Sequence, residues 1–414
     1  MFAAIDPLWL MLFALVFVAV AMLTARRPAY GIAALIVSQP FAGAHYIFST
    51  TVTLPKVVLF AAIVGLIGRG RLAALRERPV RDVLLALVAV AIVTALTIAV
   101  AADRGPAIRE TLKWIGYAAL FATVCVAYDA DAEDTLLVRA WMFVTLAVAC
   151  LALLQEVIGA PSGLALNGVV VPRIAGPLEG PNQLAGYLGV SLAVLCSWYR
   201  RERLSFAVIA LAICALALTL SRGGIIAAAI GIAAIFFARA RARGELALPV
   251  ASGAALGAVG ACVWIALTQL RGLLPTAPAP PYAGGVGYRP ELWRAAIALW
   301  ERHPWLGVGA GNFELDLQSV GLRGVRTHAN SWPLQALAEG GIALLAATVA
   351  LAVTLLRVLG KKLSEAHPWQ IAAFAASLAL IAHQLVDYLV YYPKVAESWW
   401  IVVALGTRAV KRRE

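Results

Sequence analysis

Apolar runs long enough to cross a lipid bilayer recur along the whole of this chain. Such runs need about 20 residues when they cross as helices, because lipid offers no partners for backbone polar groups. Of the 414 residues, 62% are hydrophobic, and the mean hydropathy is +0.85. The pattern predicts an all-α polytopic membrane protein with about 12–13 transmembrane helices. The runs occupy 8–24, 29–48, 54–68, 82–102, 111–128, 137–158, 182–199, 205–221, 223–238, 247–268, 334–357, 369–390 and 396–410.

The run 29–48 is the least regular of these, since it contains Pro40, and we expect it to be short or re-entrant. The remaining organisation follows from the other runs. We expect transmembrane helices with short loops over 1–268, a large periplasmic loop containing short helices over 269–331, and further helices with a basic tail over 332–414.

Basic residues gather in five clusters between the apolar runs. Since such clusters are retained on the cytoplasmic side, the alternation of spans places all five there, together with the C-terminus. Topology thus explains the net charge of +12, and no nucleic-acid partner is expected. The clusters are Arg69/Arg71/Arg76/Arg78/Arg81, Arg200/Arg201/Arg203, Arg239/Arg241/Arg243, Arg357/Lys361/Lys362 and Arg408/Lys411/Arg412/Arg413.

The large loop contains arginine but no lysine. A guanidinium donates two parallel hydrogen bonds to phosphate or carboxylate, so this bias favours capture of an anionic substrate group by Arg289, Arg294 and Arg326. Ion pairing within the loop, with Glu291, Glu301, Glu314 and Asp316, is the alternative. The loop arginines are Arg271, Arg289, Arg294, Arg302, Arg323 and Arg326.

Two further arginines lie where apolar runs meet on the same side. Arg222, in Leu220-Ser-Arg-Gly-Gly224, either ties down loop carbonyls or faces an anionic headgroup, and we favour the headgroup. Arg173 opens the segment Arg173–Gln183 and is expected to be a second anion contact. In that segment Asn182 is expected to cap the next helix.

Residues 290–305 of the large loop read as an amphipathic helix with Trp293, Ile297 and Trp300 on one stripe. This helix suits either the outer headgroup layer of the membrane lipids or packing on the bundle. The following Gly307–Gly311 segment is expected to form a tight turn.

The segment Arg326–Gly341 places a titratable imidazole, His328, immediately before a helix that enters the membrane. Asn330 and Ser331 are typical of a helix cap, while Gln335 and Glu339 fall four residues apart on one face. The helix N-terminus suits a phosphate, because its N–H groups are unpaired. A loop histidine hydrogen-bonded to backbone is the ordinary alternative to a catalytic His328.

One more polar pair lies near the C-terminus. His383 and Asp387 are four residues apart and are expected on one helical face, where a structural and a catalytic role are equally open.

The pattern His-x-Asn-Ser-x-x-Leu-Gln-x-Leu-Ala-Glu-x-Gly resembles the O-antigen ligase and polymerase superfamily. It begins at His328, and the resemblance covers roughly residues 170–345. Similar motifs are Arg289-Pro-Glu-Leu-Trp-Arg294, Pro304-Trp-Leu-Gly-Val-Gly309, Ser221-Arg-Gly-Gly224 and the Gly-Pro-Asn-Gln-Leu-Ala run that starts at Gly180.

The resemblance implies a bacterial inner-membrane glycosyltransferase with a GT-C-like fold, acting on the periplasmic side without metal or cofactor. Such ligases transfer O-antigen from an undecaprenyl-diphosphate-linked glycan donor to lipid A–core as acceptor. The family's essential histidine falls on His328, and its essential arginines fall on Arg222 and Arg289. Polymerases and protein O-oligosaccharyltransferases share most of the pattern, and a non-enzymatic transporter also fits the hydrophobicity.

We expect His328 to act as general base on an acceptor hydroxyl, while arginines stabilise the diphosphate leaving group in an inverting displacement. Supporting roles are expected for Asn330, Gln335, Glu339 and Asn182. No DxD-like acidic pair occurs in the outer loops, so metal independence is predicted.

Overall fold

The computed structural model describes residues 7–41, 43–47, 50–68, 71–129, 133–166, 169–198, 202–242 and 289–410. Several expectations therefore lie outside the described residues. These are the apolar run 247–268, the first part of the large loop with Arg271, and the basic residues Arg69, Arg200, Arg201, Arg243, Lys411, Arg412 and Arg413.

Within these ranges the chain forms helices and two short hairpins. The helices before residue 243 are α1 (Pro7–Arg26), α2 (Pro28–Ser38), α3 (Leu54–Leu66), α4 (Arg78–Leu96), α5 (Arg104–Ala127), α6 (Asp134–Ile158), α7 (Pro181–Ser197), α8 (Arg203–Leu218) and α9 (Arg222–Ala242). Those after residue 288 are α10 (Arg289–Arg302), α11 (Phe313–Asp316), α12 (Trp332–Leu359), α13 (Pro368–Gln384) and α14 (Pro393–Val410). The antiparallel hairpins are β1 (Ala44–Ile47) with β2 (Thr50–Thr53) and β3 (Ser162–Leu166) with β4 (Val169–Arg173).

The all-α polytopic membrane fold predicted from the sequence is confirmed. Six of the described helices, α1, α4, α5, α6, α9 and α12, are long and apolar enough to cross a membrane. The run 29–48 is indeed short, because α2 ends at Ser38 and the β1–β2 hairpin begins at Ala44. The total of about 12–13 spans stays a prediction, since residues 243–288 are not described.

The centre of the bundle is built from α13 and α14. They have 17 and 18 residues, and almost every residue of α14 from Val395 to Val410 is buried. α13 packs against α7, α9 and α14, while α14 also packs against α5. Trp399 is fully buried and donates its indole N–H to the Ser377 hydroxyl at 3.0 Å. Because these helices are enclosed by others, their ends can hold polar loops at fixed positions.

Helix α12 is broken at Gly341, whose φ of 61° and ψ of −159° are not helical. The turn that precedes α11 fills this break. Val308 donates its N–H to the Ala338 carbonyl at 2.9 Å, and Ile342 donates to the Pro304 carbonyl at 2.9 Å. Gly307, Gly309 and Gly311 all have positive φ, which confirms the tight turn expected there. The turn thus supplies the hydrogen bonds that the kinked helix lacks.

Helix α10 packs on α12, which places the arginine-rich loop against the bundle. Its buried side chains are Leu292, Ala295, Ala296 and Leu299, whereas Ile297 is 40% exposed. The Trp293–Ile297–Trp300 stripe therefore flanks the contact and does not form it. Small alanines between two leucines let the two helix axes approach closely.

The described members of the basic clusters lie at the helix ends remote from this turn. Arg408, near the end of α14, bonds to Glu77, which precedes α4. Arg239, near the end of α9, donates to the Ser197 carbonyl at 2.9 Å. The clusters and the loop around His328 are thus at opposite ends of the bundle.

Candidate active site

Several helix ends meet around His328, which lies in the loop before α12. Its ring contacts three tyrosines of the segment between α13 and α14. The ring centroids lie 5.5 Å from Tyr388, 4.1 Å from Tyr391 and 6.1 Å from Tyr392. The Tyr117 hydroxyl of α5 donates to the Val390 carbonyl at 2.9 Å, which fixes that segment. The imidazole is therefore held by aromatic rings in a partly buried position.

The backbone around His328 is fixed by side chains of its own segment. Asn330 has a φ of 50°, a left-handed conformation that asparagine tolerates better than most residues. Its amide donates to the His328 carbonyl at 3.3 Å. Ser331 is the N-cap residue of α12, but its side chain forms no cap hydrogen bond. The expected side-chain capping by Asn330 and Ser331 is therefore wrong, because the Asn330 amide turns back to the His328 carbonyl.

Gln335 and Glu339 connect the histidine loop to the turn before α11. Gln335 accepts the Ala329 N–H at 2.7 Å and donates to Glu339 Oε1 at 2.9 Å. The same Glu339 oxygen accepts the Phe313 N–H at 3.3 Å. Both side chains are buried, so these hydrogen bonds are shielded from water. The shared helical face expected from their spacing is confirmed, and the contacts fit a supporting role.

His328 also lies on the wall of a cavity of about 260 Å³. Tyr388 and Tyr391 line the same wall, and the remaining wall is dominated by carboxylates. The carboxylates are Asp103, Glu110, Glu314 and Glu339, and Arg109 provides the guanidinium of the lining.

Arg173, Arg289 and Asn182 converge on Asp387, a residue outside this cavity lining. Asp387 Oδ2 accepts the Asn182 amide at 2.7 Å and lies 3.7 Å from Arg289 Nη2. Asn182 in turn accepts Arg173 Nη2 at 2.8 Å. The Asp387 backbone carbonyl accepts the Trp332 N–H at 3.0 Å, at the first turn of α12. Asp387 thus connects both arginines, one of them through Asn182, to the helix that follows His328.

Asn182 does not cap α7 as expected, because the N-cap residue is Gly180 and no side chain caps it. Pro181 occupies the first turn of α7, where its missing N–H is not needed. The Asn182 side chain instead bridges Arg173 and Asp387.

Arg222 begins α9 at the same end of the bundle, and its side chain is exposed. Thr219 lies three residues before Arg222, and its carbonyl accepts a hydrogen bond from Arg173 Nε at 2.7 Å. A Cβ at Gly223 would lie 3.0 Å from the His383 ring, so glycine allows α9 to start against α13. The structure therefore brings the starts of α7 and α9 and the end of β4 together.

Arg294 and Arg326 are not brought into this cluster. Both side chains are exposed, and neither has a hydrogen bond or ion pair within the described part of the chain. Ion pairing with the acidic residues of the loop, the alternative to anion capture, is wrong for Arg289, whose partner is Asp387. A substrate contact for Arg294 or Arg326 stays a prediction.

His383 and Asp387 do not share a helical face, because α13 ends at Gln384. His383 is buried against Gly223 and Gly224, whereas Asp387 lies in the following segment. The central position of Asp387, the three tyrosines and Glu110 were not predicted from the sequence. The aromatic run Tyr388-Leu-Val-Tyr-Tyr392 at the end of an apolar segment was the available signal for an interfacial site.

The electrostatic environment keeps His328 neutral. The His328 pKa is lowered from 6.5 to about 4, chiefly by burial and also by the positive charge of Lys113, while Asp387 opposes both. The Arg173 pKa is lowered to about 10, chiefly by burial and also by the charge of Arg289, while Asp387 opposes both. At neutral pH the site therefore combines an uncharged imidazole with charged guanidinium groups.

No three His, Cys, Asp or Glu side chains among the described residues are grouped so as to hold a metal ion. Metal independence of the reaction stays a prediction.

A family model described as O-antigen ligase matches residues 206–349, about a third of the chain. The match includes Arg222, Arg289, His328 and Glu339, but neither Arg173 nor Asp387. It supports the O-antigen ligase and polymerase superfamily and, in general, glycosyltransferase-like activity on lipid-linked polysaccharide. It does not distinguish a ligase from a polymerase. No curated protein matches the chain.

Proposed function

We propose that this membrane protein is an O-antigen ligase with a GT-C-like fold. It transfers O-antigen polysaccharide from undecaprenyl diphosphate to lipid A–core, in lipopolysaccharide biosynthesis. The observation that carries the proposal is the position of His328. Its ring lies on the wall of an open cavity, and the helix that follows it begins on the backbone carbonyl of Asp387. The Asp387 carboxylate in turn pairs with Arg289 and accepts a hydrogen bond from Asn182, the partner of Arg173.

The arginines are the proposed binding site for the donor diphosphate. Arg289 lies close enough to Arg173 to lower the pKa of Arg173, and a bound diphosphate would offset that repulsion. Arg222 begins α9 at the same end of the bundle, and its side chain is exposed. Since guanidinium groups bind phosphate oxygens in pairs, three of them suit a diphosphate that gains charge as it leaves.

The proposed reaction is a single displacement. His328 accepts the proton of an acceptor hydroxyl while that oxygen forms a bond to the anomeric carbon of the donor sugar. The bond from that carbon to the diphosphate oxygen breaks, and its electron pair leaves with undecaprenyl diphosphate. The anomeric configuration inverts, and the imidazolium then releases its proton to solvent.

Neutral His328 suits this role, although a pKa of about 4 makes it a weak base in the empty site. A bound diphosphate would add negative charge near the ring and raise the His328 pKa towards neutrality. Donor binding would thereby activate the base, so that proton removal follows assembly of the complex.

The proposed orientation places the site in the periplasm and the C-terminus in the cytoplasm of the bacterial inner membrane. Its support is the separation of charge along the bundle. Described members of the basic clusters, such as Arg239 and Arg408, lie at the end remote from His328. Basic residues favour the cytoplasmic side.

The test is transfer by the purified full-length protein from an undecaprenyl-diphosphate-linked O-antigen to lipid A–core, with His328→Ala as control. Product on lipid A–core supports the ligase. Lengthening of the lipid-linked glycan itself would instead identify a polymerase, and no sugar transfer at all would favour a transporter.

A further inference from the structure

The cavity beside His328 differs in charge from the arginine cluster. Its lining contains four carboxylates against one guanidinium, whereas Arg173, Arg222 and Arg289 are not part of it. His328 is the residue common to both surroundings, since its ring lines the cavity and its loop leads into Trp332, whose N–H bonds to the Asp387 carbonyl beside the arginines. The two reactants of a displacement would therefore approach His328 through environments of opposite charge.

Three of the four carboxylates already have protein partners. Glu110 pairs with Lys113 at 2.6 Å, and Glu339 accepts from Gln335 at 2.9 Å. Asp103 caps α5 by accepting the Gly105 N–H at 2.8 Å. Glu314 is half-buried on the cavity wall and has no hydrogen bond or ion pair within the described ranges. Among the four carboxylates of the lining, Glu314 is therefore the one whose acceptor oxygens have no protein partner within the described ranges.

Tyr391 provides a fixed apolar surface beside Glu314. Its ring contacts His328 and lies 4.5 Å from Lys113 Nζ, and 36% of the residue is still exposed. The exposed side chains of Arg109 and Leu315 mark the mouth of the cavity. Its volume of about 260 Å³ is below that of a drug-sized pocket, which suits one sugar ring and excludes a whole oligosaccharide.

We propose that this cavity binds the terminal acceptor sugar as an uncharged, unphosphorylated ring. Glu314 and Glu110 accept hydrogen bonds from its hydroxyls, and Tyr391 packs against its apolar C–H groups. Hydroxyls donate well to carboxylates, whereas a phosphate would face repulsion from the acidic wall. The inference rests on the proposed function, because it identifies the cavity with the acceptor side of that reaction.

The first experiment compares Glu314→Gln with wild type in steady-state transfer by the full-length protein. Loss of a hydrogen bond to a charged group is expected to raise the acceptor KM about tenfold and to leave the donor KM unchanged. Glu301→Gln is the matched control, because Glu301 is exposed on α10 and does not line the cavity. An unchanged acceptor KM in Glu314→Gln overturns the proposal.

The second experiment uses two lipid A–core acceptors that differ only in a phosphate on the terminal sugar. Wild type is expected to prefer the unphosphorylated acceptor by more than about tenfold. Glu314→Arg is expected to reduce that preference by improving the phosphorylated acceptor. Equal use of both acceptors by wild type overturns the proposal.

Binding of the delipidated core oligosaccharide to His328→Ala, measured calorimetrically, separates the two proposals. The His328→Ala protein is expected to bind the core oligosaccharide. Addition of Glu314→Gln to the same protein is expected to weaken that binding. This pattern without any transfer by wild type would reject the ligase and retain the sugar site. Transfer by wild type with no effect of Glu314→Gln on binding would reject the sugar site alone.

Discussion

The centroid of the His328 ring lies 4.1 Å from that of Tyr391, with the two ring planes tilted by 50°. Tyr391 belongs to the single turn Leu389–Tyr391, between the two central helices α13 and α14. The orientation of the proposed base is therefore set by the core of the protein as much as by its own loop. These contacts argue against the alternative that His328 is an ordinary surface-loop histidine.

Replacement of His328 by alanine is expected to reduce kcat for transfer by about 10²- to 10⁴-fold, the usual contribution of a general base. The protein should still fold, because the Asn330 and Gln335 contacts to this loop are made with backbone atoms. Purification yield and thermal melting check folding. The control is His303→Ala, an exposed histidine at the end of α10. Near-normal transfer by His328→Ala would rule out the base assignment.

The pH dependence of the reaction should differ between kcat/KM and kcat. The base form of His328 is lost as pH falls through its pKa of about 4, so the acidic limb of kcat/KM should lie near that pH. The limb of kcat should lie higher, since a bound diphosphate stabilises the imidazolium. Rate measurements between about pH 4 and 8 test both limbs. Limbs that coincide would argue against proximity of the diphosphate to His328.

Lys113 offers an independent check of that electrostatic account. Its positive charge lowers the His328 pKa, so Lys113→Gln should move the acidic limb of kcat/KM to higher pH. The acidic limb should still lie below about pH 6.5, because burial is the larger cause of the lowered His328 pKa and is unchanged in the variant. Lys362→Gln, at the remote end of the bundle, should leave the profile unchanged.

Arg289→Lys is expected to reduce kcat/KM for the donor by at least about tenfold, although the charge is kept. An ammonium cannot donate the parallel pair of hydrogen bonds that a guanidinium gives to a phosphate. Arg323→Lys is the matched control, since Arg323 is exposed in the same loop. Equal donor kinetics in Arg289→Lys and wild type would restrict Arg289 to charge screening.

The parts of the site that the sequence predicted are local in the chain. The Gln335–Glu339 contact follows from a spacing of four on one helix, and the Gly307–Gly311 turn follows from its glycines. The apolar runs likewise predicted the helices, because each run reports only on its own segment.

The parts that the sequence did not predict depend on contacts between distant segments. Asp387 was expected on a helical face with His383, yet it lies beyond the helix and pairs with Arg289 and Asn182. Its partners belong to α10 and α7. Packing in the core determines which helix ends lie next to each other. Tyr391 contacts His328 for the same reason. Spacing along one chain carries no signal for such pairings.

Gly341→Ala is expected to destabilise the protein by about 2 kcal/mol or more, as judged by thermal melting in detergent. Its φ of 61° and ψ of −159° are nearly confined to glycine, and an added Cβ would collide with the Trp305 backbone and lie 2.6 Å from the Pro304 carbonyl oxygen. Gly116→Ala in α5 is the control, because it meets nothing within 4 Å and should be neutral or slightly stabilising. A Gly341→Ala protein as stable as wild type would show that the turn does not hold the kink.

Transfer is expected to continue at an unchanged rate after removal of divalent cations with a chelator. The leaving diphosphate gains negative charge, and the positive charges of Arg173, Arg222 and Arg289, at one end of the bundle, would stabilise it. If arginines stabilise this negative charge, removal of the divalent cation should leave the transfer rate unchanged. Magnesium should then not restore the rate of a variant that lacks one of the arginines. The measurement is transfer in chelator by wild type and by Arg289→Lys, each before and after magnesium is restored. Activity that vanishes with chelator and returns with magnesium would assign the charge to a bound metal ion instead.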